Sequence, residues 1–104
     1  MAVHRHPHAD SFRSAIESLR LLTARLDDPK ARGPVLPRMR AGILQILRAN
    51  PRPSHELCRQ LYDIQGHMHK LFLSARNEYA IVAKINIALA RAKALVDKPP
   101  FGSR

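Results

Sequence analysis

Apolar residues along this chain recur at intervals of three and four, with no sustained two-residue alternation, so the pattern predicts helices and no strands. Phe12, Ala15, Leu19, Leu22 and Leu26 follow a 3-4-3-4 spacing, and Ile16 widens the stripe. Asp10 or Ser11 offers an N-cap, Ser14 and Glu17 form a weaker capping box one turn later, and Arg13 and Glu17 pair on the outer face. Asp27-Asp28-Pro29 closes this first helix, predicted over 10–27. The residues before it, "MAVHRHPHA", carry no period and read as a flexible tail over 1–9.

Residues 27–36, with Pro29, Gly33 and Pro34, read as a linker. Pro37 suits the first position of a second helix, where its missing N–H costs nothing, and Met39, Ile43, Ile46 and Leu47 supply the apolar face of a helix over 37–49. "NPRP" at 50–53 stops it. Ser54 can cap the next helix, with Glu56 in the first turn.

From there the pattern runs on in heptads. Position a falls on Leu61, Met68, Ala75, Val82, Leu89 and Val96, and position d on Leu57, Ile64, Leu71, Glu78, Ile85 and Ala92, so eleven of twelve seam positions are apolar. The pattern predicts a third helix over 54–97, more than ~60 Å long if unbroken. Gly66 marks a place where it could kink. Lys98-Pro99-Pro100 ends the helix and leaves a tail over 99–104. The expected fold is all-α: two short helices packed on one long C-terminal helix. Its seam of Leu57, Leu61, Ile64, Met68, Leu71, Val82, Ile85 and Leu89 is expected to hold a homodimer. Glu78 interrupts that seam and lacks a basic residue three or four positions away. A buried carboxylate without a partner is costly, so an arginine from another element is expected to meet it and fix register. A gap open to water and a functional carboxylate are the alternatives.

Charge adds a partner class. The 104 residues carry a formal charge of +10, from 18 Lys and Arg against 8 Asp and Glu, which favours anionic surfaces. Thirteen of the eighteen are Arg, the better bidentate partner for phosphate and carboxylate. Between Pro29 and His55 stand Lys30, Arg32, Arg38, Arg40, Arg48 and Arg52, with no acid among them. With the second helix starting at Pro37, Arg38 and Arg40 oppose the positive end of its dipole, an arrangement that a docked phosphate or carboxylate would make favourable. A solvated loop, a nucleic-acid backbone contact and an acidic protein partner all fit this segment. Arg13, Arg20 and Arg25 could adjoin it.

Other chemistry finds little footing. There is no glycine-rich phosphate cradle, no zinc-finger spacing, no basic region leading into a zipper and too few aromatics for a single-strand platform. His4, His6 and His8 alternate in the tail, and His4 behind a free Ala2 amine would offer a square-planar nitrogen set for Cu(II) or Ni(II). His67 and His69, two apart, are poor co-ligands. His55 and Cys58 could meet at the start of the third helix, but an orienting group and an oxyanion site are missing. A lone cysteine excludes an intrachain disulfide and points to a reducing, cytoplasmic setting. The most apolar stretch, 80–96, is interrupted by Lys84, Arg91 and Lys93, so no membrane span is expected. The expectation is a cofactor-free, non-enzymatic interaction or oligomerisation module with a basic surface. A phosphate-backbone nucleic-acid binder and a Cu/Ni-binding tail are the alternatives.

Overall fold

A computed structural model describes residues 7–73 and 78–97. Four α-helices make up most of them: α1 (Ala9–Ala24), α2 (Arg32–Leu47), α3 (His55–Leu73) and α4 (Glu78–Asp97). Two 3₁₀ turns, Arg25–Asp27 and Pro29–Ala31, join α1 to α2, and no strand occurs among the described residues. The all-α class is as expected.

The long third helix is corrected. In its place stand α3 and α4, packed along one another, and the longest dimension of the fold is 51 Å. An apolar 3-4 repeat specifies which face is sticky, but not whether the rod is continuous. Folding back lets one half of the seam cover the other without the entropic cost of recruiting a second chain. Leu57, Leu61, Ile64, Val82, Ile85 and Leu89 are therefore buried within a single chain, as are Met68 and Leu71. Position a at Ala75 lies outside the described residues. Through Gly66, α3 runs as one uninterrupted helix.

The other two helices close the core. Phe12, Ile16, Leu19 and Leu26 come from α1 and its following turn, and Val35, Met39, Ile43 and Ile46 from α2. Burying each such side chain contributes about 1.5–3 kcal/mol. The centre of the α1 stripe runs through Ile16 and Thr23, while Ala15 and Leu22 lie at its margin. Thr23 is fully buried because its hydroxyl donates to the Leu19 carbonyl at 2.7 Å, which removes the penalty for an unpaired polar group.

Helix boundaries follow local chemistry, with two revisions. Helix α1 begins one residue ahead of Asp10: Ala9 is buried, and the Phe12 N–H donates to the His8 carbonyl at 2.8 Å. Helix α2 begins at Arg32, so the second half of the segment expected to be linker, 32–36, opens that helix, the first half holds the 3₁₀ turn Pro29–Ala31, and Pro37 lies in the helix interior. The cause is Val35, four residues before Met39 and wholly buried, which extends the apolar stripe by a turn. Pro34 sits in that first turn, where an N–H is dispensable, and Pro37 withholds only the bond to the Gly33 carbonyl. The Asp28 carboxylate accepts from the Lys30 N–H at 3.0 Å, and the Ser54 hydroxyl caps α3 by accepting from the Leu57 N–H at 3.2 Å. The α2–α3 connection contains a cis Asn50–Pro51 peptide.

Candidate functional site

Arg32 and Glu78, anomalous for opposite reasons in the sequence, meet in space. The Arg32 fork grips the Glu78 carboxylate, with Nη1 to Oε1 at 2.8 Å and Nη2 to Oε2 at 3.0 Å. Its Nε donates to the Leu26 carbonyl at 2.9 Å. A guanidinium matches a carboxylate in this planar, two-bond manner, whereas a lysine ammonium cannot. The hydrogen bond from Arg32 holds the Glu78 carboxyl below the usual carboxylate range, outweighing partial burial that acts the other way. The carboxylate likewise raises Arg32 above its ordinary value, again against burial. Glu78 thus has the cross-element arginine that its seam position demands, and the anion of Arg32 comes from its own chain.

The remaining basic residues separate. Lys30, Arg38, Arg40, Arg48 and Arg52 are all exposed. With α2 starting at Arg32, Arg38 and Arg40 are not in its first turn, which corrects the dipole argument for them. Two residues apart, they point about 200° from one another around the helix. Arg40 and Arg32 flank the same groove, whereas Lys30, Arg38, Arg48 and Arg52 do not line it. On α1, the Arg13 guanidinium turns from the expected Glu17 to Asp10 at 2.8 Å and Asp97 at 2.7 Å, and Glu17 pairs with Arg20 at 3.1 Å.

That groove, about 850 Å³ in volume, opens between the first half of α2 and the last half of α3. Gly33, Leu36, Pro37 and Arg40 form one wall, and Gln65, Met68, His69 and Phe72 form the other. Among the described residues the lining is mostly apolar, bears two arginines and contains no acid. Phe72 is 77% exposed, far more than a large aromatic side chain in a core. The α3 wall has a sequence signature: Gln65, His69 and Phe72 follow a 4-3 spacing one residue after the buried seam. The stronger Leu/Ile stripe beside it hides this second stripe.

The other candidates resolve locally. His8 contacts the Asn50 carbonyl through Nε2 at 2.9 Å, while His4 and His6 lie outside the described residues. Among the described residues no three His, Cys, Asp or Glu side chains gather as a metal site would require. Cys58 is buried with its Sγ 3.8 Å from the Pro53 carbonyl, and His55 is exposed. Burial pushes the His67 imidazole below its ordinary value, helped by Lys70 and Lys84 and opposed by Asp63. Among the described residues no helix is long and apolar enough to cross a membrane. No protein-family model, curated protein or solved structure matches this chain.

Proposed function

We propose that the protein is a non-enzymatic interaction module whose α2–α3 groove receives an amphipathic helix from an acidic protein partner. The observation that carries this reading is an apolar groove with an exposed Phe72 whose described lining holds Arg40, the Glu78-paired Arg32 and no acid, on a chain of formal charge +10. Helix-in-groove recognition uses apolar anchors at three- and four-residue spacing, with charge complementarity setting the choice of partner. A second copy is a poor occupant, since both faces would bring positive charge. A homodimer through the predicted seam would first have to unpack α3 from α4.

The test is anisotropy of a labelled peptide with leucines at helical spacing and glutamates on the rest of its surface, set against the same peptide with lysines for glutamates. The acidic probe should bind the protein and the basic probe should not. Phe72→Ala should weaken binding tenfold or more, about 1.4 kcal/mol, and Arg40→Ala should weaken it less and reduce its salt dependence. A DNA duplex serves as competitor at about 50 and about 200 mM salt. Duplex affinity that persists at the higher salt and falls with Arg38→Ala/Arg40→Ala would move the reading to nucleic acid. Equal affinity for the acidic and basic peptides would end the acidic-partner reading.

A further inference from the structure

We infer that Glu78, which does not itself line the groove, is an internal occupant of the carboxylate-binding fork that Arg32 holds at the groove's edge, and that a carboxylate of the docked partner takes this fork over on binding. The inference rests on the acidic-partner reading and gives it a specific contact and a built-in competitor. Arg32 lines the groove, and its guanidinium is already engaged two-pronged by a carboxylate. Its third bond, to the Leu26 carbonyl, does not involve Glu78, so the fork stays oriented when the carboxylate leaves. The two partners differ in exposure: the Arg32 side chain is 15% exposed and that of Glu78 24%, so the carboxylate is the more accessible member.

Glu78 is also the first residue of α4, and the next buried anchor of that helix is Val82. Its release therefore needs a side-chain rotation and leaves the core packing in place. The exchange swaps one carboxylate–guanidinium pair for another, so it contributes little alone. It becomes favourable when the apolar face of the partner holds the incoming carboxylate nearby at high effective concentration. Until then Glu78 suppresses capture of isolated carboxylates, so that Arg32 selects for acid and shape together.

The experiment compares Glu78→Gln with wild type for the acidic peptide and for a version with glutamine at the positions facing Arg32. Glu17→Gln, which makes the same charge change at an exposed pair on α1, is the control. Removing the competitor should tighten the acidic peptide by about two- to fivefold, the scale of a partly exposed ion pair. Glu17→Gln and the glutamine peptide should show no such gain. Unchanged or weaker binding by Glu78→Gln, or an equal gain from Glu17→Gln, would overturn the exchange while leaving the groove reading intact. Failure of the acidic peptide to bind any variant would remove both. Should Glu78→Gln fold poorly by circular dichroism, the Glu78 side-chain carboxyl carbon resonance of wild type decides, because that carboxylate is held by Arg32 Nη1 and Nη2. It should shift as the acidic peptide saturates, and a static resonance at saturation would overturn the inference.

Discussion

Replacing Gly66 by alanine is expected to stabilise the fold by about 0.5–1 kcal/mol, because an interior helical glycine carries the largest backbone entropy loss on folding. The position sits near the middle of α3, is exposed, and a Cβ built there meets nothing within 4 Å. No packing change offsets the gain. Gly42, in α2, offers a graded comparison: a Cβ there would lie 3.4 Å from Leu19 Cδ2, an ordinary contact that adds a little apolar burial to the same entropic gain. The two sites lie on different helices and share no neighbour, so the gains should add within ~0.5 kcal/mol. For a chain of this size 1 kcal/mol corresponds to about 4–8 °C in Tm. Thermal and urea unfolding followed by far-UV circular dichroism measure it, and the urea slope should not change. A loss of stability on Gly66→Ala would mean that α3 needs glycine there, and a continuous α3 would be the wrong description.

Stability should fall on the acid side in two separable steps. Arg32 lowers the Glu78 pKa on folding, so this contribution is complete above the ordinary carboxylate pKa and disappears as pH drops through the folded value. Arg32→Ala should flatten that part of the stability–pH curve. His67 is also lowered, so the unfolded chain takes up its proton first. Stability is then unaffected above the ordinary histidine pKa of about 6.5 and declines as pH falls from there toward the folded value. His67→Gln should remove this slope, and an unchanged profile would refute the assignment. Ser54→Ala, which deletes the α3 cap, should cost about 1 kcal/mol in urea unfolding, against almost nothing for Ser11→Ala on the exposed side of α1.

Which faces are apolar was legible, because the 3-4 spacing of Phe12–Leu26 and Leu57–Val96 is a direct record of burial. How the rod is broken was not, since Leu71 and Glu78 keep heptad phase whether or not the helix is continuous between them. The start of α2 was concealed for a different reason: Gly33, Pro34 and Pro37 are all breakers by composition, yet burial of Val35 outweighs them. Glu78 was legible as a residue needing an arginine, but choosing Arg32 among thirteen arginines requires the fold-back that brings α4 to the start of α2. The groove was least legible. It arises from two helices failing to close on each other, a property of their relative placement that neither sequence stripe contains.

The ion pair from Arg13 to Asp97 fixes the layout of the molecule's extremities. It brings the start of α1 and the end of α4 to one pole, while Glu78, about 30 Å away along α4, marks the other. A fluorophore carried at either of these helix ends would sit at the pole remote from the Arg32 fork. The groove can therefore be probed in a labelled protein, and a linker of a few residues joining the two helix ends would permit a permutant opened within the 48–54 connection.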